Sequence, residues 1–430
     1  MIHIDLVPNF ENDDYEIIQN LINGKTFNFL LSENRVREIL KLYFPEGEIF
    51  FFNSARSALT FLLSQNYSEL EQDSIQIKYF PAEIITQAFS CLVVPNAIKF
   101  ANFKPIYVDI DETFNLDIED LKRKISDKTK AIIIQNTFGI PAKIDEILEI
   151  AKKNNLLIIE NLTHSLGAKY QNQYLGNFGN VALLSFNRNK VISSIIGGAL
   201  IVNNKELAEK IRTEYEKLPE LEEKEIKKIL FTGKILYQAK KNYNFLTKIY
   251  LRFLRTRGAT LEMISLIEKQ GQRPKNYLAK FPRQLFPLLE NQLKKLERFN
   301  QQRKEIAKIY SEKLNGIYGS GQGRSGVFRN NPSVRSDGSV SVSNYYANIE
   351  PIFLRFPFLT KNRDFILEKF KKENIYLGDW YNCVLAPCSN LKNFDYEIGS
   401  CPKAEEITKR ILNLPTLIGK DEAELIISLL

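Results

Sequence analysis

The sequence predicts an α/β protein: a large N-terminal domain with a mainly parallel sheet and crossover helices, then a smaller α+β C-terminal domain. Three observations carry this reading. Between about residues 48 and 203 short β-rich runs alternate with helical stretches, the pattern of parallel strands joined by helices. From 204 to about 315 Lys, Glu, Leu and Ile recur at spacings of three and four, which is helical. The 430 residues, 44% hydrophobic and 26% charged, have a globular composition and enough length for two or three domains, so disorder, collagen and coiled coil are disfavoured. The expected division is a large α/β domain over 1–245 and a smaller α+β domain over 246–430.

In chain order, strands are expected at 48–52, 105–110, 131–135, 156–160, 181–186 and 199–202. Helices at 116–126 and 144–154 place apolar residues on one face and charges on the other. Residues 285–314 form the clearest later helix. The segment 319–343 is rich in Gly, Ser, Asn and Arg and reads as a flexible loop. Its glycines lack the preceding strand and following helix of a nucleotide-binding turn. Beyond it come an expected strand at 352–356, a helix at 362–373 and a strand at 375–377.

The net charge of +8 is concentrated: residues 224–257 hold ten Lys and Arg against one acid, which leaves the rest near neutral. Apolar and aromatic residues interleave with these cations. Such a pattern serves a peripheral contact with an anionic membrane, or a basic helix bordering a subunit interface or a pocket for an anionic substrate. Nucleic acid is not expected as a partner, because zinc-finger spacing, aromatic RNA-binding motifs and a helix-turn-helix are all absent. With two His and four Cys, scattered along the chain, no metal site and no disulfide framework are expected, and Cys383, Cys388 and Cys401 read as buried thiols. No run approaches the roughly 18 apolar residues of a membrane span, and the N-terminus lacks a leader pattern, so a cytoplasmic protein is expected.

Ligands of open α/β sheets gather beyond the carboxyl ends of the strands. Three such places hold polar residues. Ser54, Ala55, Arg56 and Ser57 turn the first strand into a helix whose free N–H groups suit a phosphate, although a Ser there is also an ordinary helix cap. Residues 160–167 put Asn161, Thr163 and His164 after an apolar strand. Ser185 through Lys190 follow another, and a Lys held inside such a site is suited to Schiff-base chemistry because desolvation lowers its pKa.

Taken in order, these loops resemble the DegT/StrS-type sugar aminotransferases, a PLP-dependent family of the aspartate aminotransferase fold. The stretch 103–111 (FKPIYVDID), the turn 137–142 (TFGIPA), and the C-terminal 400–405 (SCPKAE) and 413–416 (NLPT) carry the same resemblance. It implies Lys190 as the Schiff-base lysine, where related sugar dehydratases carry His. It also implies Ser185 and the 54–59 loop around the cofactor phosphate, Cys91 against the ring, and His164 near the phenolic oxygen. Trp380 and Tyr381 fall where relatives form the substrate pocket. The resemblance further implies a keto sugar of a nucleotide-sugar as acceptor, glutamate as donor, and a homodimer whose sites are completed by the partner chain.

One position departs from the pattern. Asn161 stands where the family has an Asp that keeps the cofactor ring nitrogen protonated. At about 4 Å and an effective dielectric near 20, such a charge is worth roughly 4 kcal/mol, or about three pKa units. An amide supplies none of it. The expectation is therefore cofactor binding with slowed transamination, or a relative turned to binding or membrane-associated partnership.

Overall fold

The computed structural model describes residues 1–65, 81–317, 345, 347–387 and 390–430. The loop expected at 319–343, and Cys388, lie outside the described residues.

A seven-stranded sheet organises the first part of the chain. With the short N-terminal strand Ile2–His3 taken as β1, its strands are β2 (Glu48–Phe52), β3 (Glu83–Gln87), β4 (Lys104–Val108), β5 (Thr129–Ile134), β6 (Leu157–Asn161), β7 (Val181–Ser185) and β8 (Gly198–Val202). Their order is β2-β8-β7-β6-β5-β3-β4. Neighbours run parallel except β8, which is antiparallel to both β7 and β2. The carboxyl ends of β2, β6 and β7 therefore share one edge, together with the amino end of β8.

The strands read as continuous apolar runs because both faces are covered. Phe50, Phe52, Ile133, Ile159 and Leu183 join one apolar cluster, while Ile49, Phe51, Ile132, Ile134, Ile158 and Leu184 join the other. The helix Ile144–Lys153 shows the local logic: Ile144, Ile147 and Ala151 are buried, Asp145 and Glu146 occupy its first turn, and Lys152 and Lys153 its last. Each charge meets the favourable end of the helix dipole.

A third apolar cluster gathers residues from 356 to 427 around two antiparallel strands, β9 (Phe356–Leu359) and β11 (Ile411–Leu414). Between them β10 (Ile375–Tyr376) pairs in parallel with β1, tying the N-terminus to this region. The strand expected at 352–356 is displaced to β9. Residues 352 and 354 instead donate their N–H groups to Gly139 O (3.1 Å) and Phe138 O (2.8 Å), so their apolar side chains are buried without strand pairing. The single helix expected at 285–314 is two, Phe286–Lys294 and Leu296–Ile317. Cys401 is a buried free thiol, but Cys383 is disulfide-bonded, a pairing that the uneven Cys spacing does not reveal.

The basic segment folds as two helices. With α1 (Asn12–Ile22) and α2 (Ala55–Gln65) before them, they are α3 (Glu223–Lys241), packed on α1, and α4 (Phe245–Thr256). α5 is Leu296–Ile317. Among the described residues no helix is long and apolar enough to cross a membrane.

Candidate active site

The turn from β2 into α2 begins the site. Ser54 Oγ accepts the N–H of Ser57 at 3.2 Å, which caps α2 and leaves the N–H groups of Ala55 and Arg56 without a side-chain partner. Gly198 permits this closeness, since a Cβ there would lie 2.3 Å from Ala55 N. Ser57 itself turns inward: its hydroxyl donates to Ser54 O at 2.8 Å and the side chain is fully buried. Arg56 reaches sideways, pairing with Glu268 at 3.0 Å and donating to Met263 O at 2.7 Å.

At the end of β6 the two polar residues part. Glu160 points away and accepts the N–H groups of Gly176, Phe178 and Gly179 at 2.7 to 2.8 Å, so it braces that turn. Asn161 lines a cavity of about 600 Å³ at the shared strand edge. Its Oδ1 accepts the N–H of Thr163 at 3.2 Å, which leaves the amide's donor, Nδ2, for the cavity.

His164 is buried beside this wall rather than in it. Its ring stacks on Trp380 at 5.1 Å between centroids. Nδ1 accepts the N–H of Phe138 at 3.4 Å, so Nε2 carries the proton and faces Tyr381 Oη at 3.3 Å. Burial, reinforced by the charges of Lys190 and Arg355, holds His164 well below its usual pKa and keeps it neutral. Trp380 and Tyr381 do line the cavity. Cys91 does too, and burial pushes its thiol pKa up, so it presents a neutral group.

Lys190 projects from the loop after β7 into the same cavity, near Ser185. Its Nζ lies 4.6 Å from the Trp380 ring centroid. Burial lowers its pKa to about 8, with opposing contributions from Cys91 and Asp5 and a lowering one from Arg355. The loop is held from behind: Asn9 Nδ2 donates to Lys190 O at 3.0 Å and to Val191 O at 2.8 Å, and buried Arg303 donates to Val191 O at 2.9 Å.

The structure thus brings Ser54, Ala55, Arg56, Cys91, Asn161, Ser185, Lys190, Trp380 and Tyr381 to one cavity, with His164 behind Trp380 and Ser57 turned into the helix. Arg188, inside the Ser185–Lys190 loop but given no role there, lines it too; sequence reading missed Asp5, Arg255, Tyr243 and Gln135, which line it as well. Of these only Tyr243 and Arg255 left a signal, the charge excess of 224–257. Asp5 and Gln135 sit in segments whose local pattern marks no site, far apart in sequence.

A family model described as the DegT/DnrJ/EryC1/StrS aminotransferase family matches residues 47–224 and 287–428. The chain belongs to this family. Members of the DegT/DnrJ/EryC1/StrS family are aminotransferases that use PLP, and this protein is a PLP-dependent aminotransferase by that membership. Its relatives include an uncharacterized protein of Methanocaldococcus jannaschii, 29% identical over 77% of this chain and 74% of that one. GDP-perosamine synthase of Escherichia coli O157:H7 is 38% identical over 29% of this chain and 35% of its own length. Helicobacter pylori PseC, an aminotransferase involved in the biosynthesis of pseudoaminic acid, shares the fold with a TM-score of 0.66 at 20% identity, covering 98% of this chain and 95% of that one.

The residues present fit the family's cofactor. A capped helix start beside two serines offers phosphate donors, a buried amine with a lowered pKa offers the aldehyde a nucleophile, and a buried amide donor is left for a ring nitrogen.

Proposed function

We propose that the protein transfers an amino group from glutamate to a keto carbon of a nucleotide-linked sugar for glycan assembly. The observation that carries this is Lys190: a buried amine, lowered in pKa to about 8, at the carboxyl edge of the sheet and aimed into a cavity of about 600 Å³. The nucleotide-sugar class is supported by relatives such as GDP-perosamine synthase. In this reading Ser54, the start of α2 and Ser185 hold the cofactor phosphate, and Asn161 donates to its ring nitrogen. When bound, PLP supplies an aldehyde carbon and a ring that draws electrons from the substrate Cα.

The chain's own residues supply the rest. Lys190 Nζ acts as nucleophile while neutral and, once released by the incoming amine, takes and returns the proton at Cα. Desolvation keeps a useful fraction of it neutral near pH 7; at a pKa of about 8 that fraction is about one tenth. Asn9 and Arg303 fix the loop that carries it, and Trp380 and Tyr381 form the substrate-side wall. A homodimer, with the partner completing the site, belongs to the same proposal.

Asn161 favours a second reading, a relative that binds PLP and sugar but transfers amino groups slowly. One experiment addresses both. The absorbance spectrum of the protein with PLP, before and after glutamate, is compared with Lys190→Ala. A visible band that requires Lys190 and is discharged by glutamate is the expected result. A band that glutamate leaves untouched supports the second reading, and no Lys190-dependent band at all refutes both.

A further inference from the structure

The cavity carries positive charge that the chemistry at Lys190 does not use. Arg188, two residues before Lys190, and Arg255, on α4, both line it. Among the described residues neither guanidinium has a hydrogen-bond or ion-pair partner within the chain. The other arginine of the wall, Arg56, is by contrast taken up by Glu268 and Met263 O.

The two free guanidinia act on each other. Burial and then the charge of Arg255 bring Arg188 down to about 10, and the one acid acting on it is Asp5. Asp5 is already committed, paired with Arg355 and accepting from Asn189 Nδ2 at 3.1 Å. Arg188 is half-buried and Arg255 exposed, so two like charges meet at one cavity wall, and a multivalent anion between them relieves their repulsion. Guanidinium forks match phosphoryl oxygens, which accept paired N–H donors. In the functional reading above the cofactor phosphate sits at the start of α2 beside Ser185, which leaves the arginine pair for a second phosphoryl group. Arg255 also lies in 225–286, the internal stretch that the family model does not match.

We propose that Arg188 and Arg255 form a phosphoryl-binding site in the cavity wall, with the diphosphate of the nucleotide sugar as its first occupant and the cofactor phosphate as the other source of the same chemistry. This rests on the functional reading above. The test titrates inorganic pyrophosphate and UDP into the PLP-loaded protein by calorimetry, and PLP into the cofactor-free protein by absorbance. Wild type is compared with Arg188→Gln, Arg255→Gln and Arg255→Lys.

Each Gln variant is expected to weaken pyrophosphate and UDP by about tenfold or more while PLP affinity stays within about twofold, with Arg255→Lys intermediate because it keeps charge but not the fork. A loss confined to PLP assigns the site to the cofactor phosphate. Unchanged affinity for all three probes overturns the proposal, as does a wild type that binds neither pyrophosphate nor UDP. The Lys190-dependent band separates the two levels: if it persists while the arginine variants bind normally, only this inference fails, and if wild type lacks it, the functional reading fails.

Discussion

At the scale of single residues, the proposed chemistry turns on one amide, that of Asn161. Asn161 lines the cavity and its oxygen accepts Thr163 N–H, so the group it has left to offer is an N–H donor where a carboxylate would offer a negative charge. A ring nitrogen that accepts from an amide stays unprotonated, and the ring then draws less electron density from Cα. Asn161→Asp is nearly isosteric, and its carboxylate keeps the bond to Thr163 N–H. The single-turnover rate of the PLP-loaded variant with glutamate is expected to rise more than tenfold over wild type. A change of less than tenfold would show that charge at 161 does not limit the reaction.

At the scale of elements, α4 divides its labour by face. Leu251 and Arg255 look toward the cavity and Leu254 is buried, whereas Phe245, Leu246, Ile249, Tyr250 and Phe253 are roughly half to three quarters exposed. Residues 240–257 include six Lys and Arg and no acid. A two-fold contact through this helix would set like charges against each other, while an anionic bilayer accepts both the apolar face and the cations. Vesicles rich in phosphatidylglycerol are therefore expected to sediment with the protein, less so in high salt, and not with Phe245→Ser/Leu246→Ser. Equal binding to neutral vesicles, or no binding, removes the idea.

Elements were also where the sequence was most and least readable. The strands around Asn161 and Ser185 were legible because both faces of the sheet are covered, which leaves an unbroken apolar run. β3 was not, since three of its five residues are polar. Two of them are buried with a partner: Glu83 accepts from Ser126 Oγ at 2.6 Å, and Gln87 donates to Phe114 O at 3.0 Å. Lys190 is legible because a motif surrounds it, whereas Arg355 and the stack of His164 on Trp380 are placed by tertiary packing alone, and Arg255 shows in the sequence only as part of a basic segment.

At the scale of the whole molecule, the N-terminal segment straps the parts together. β1 pairs with β10, Asn9 holds the carbonyls of Lys190 and Val191, and between them Asp5 joins buried Arg355 to Asn189 of the Lys190 loop. Along α5, Leu296 belongs to the sheet's apolar cluster and Ile306, Tyr310 and Leu314 to the third, so one helix contributes to both cores. Burial works to raise the pKa of Asp5, but Arg355 and the Asn189 amide outweigh it and hold the carboxyl below its usual value. Its stabilising contribution is therefore complete at neutral pH, begins to fade at the ordinary carboxylate pKa and is lost as pH falls through the group's own lowered value. Asp5→Asn leaves the Arg355 guanidinium buried without its counter-charge. Because the Asp5 carboxylate is 38% exposed, solvent screens part of the pair, and the expected cost at pH 7 is about 1–2 kcal/mol rather than the full cost of breaking a buried pair. Urea denaturation at pH 7 and again at about pH 3 checks this: the two proteins should differ at the first and by clearly less at the second. A difference that persists unchanged in acid would mean that Asp5 acts through packing and not through its charge.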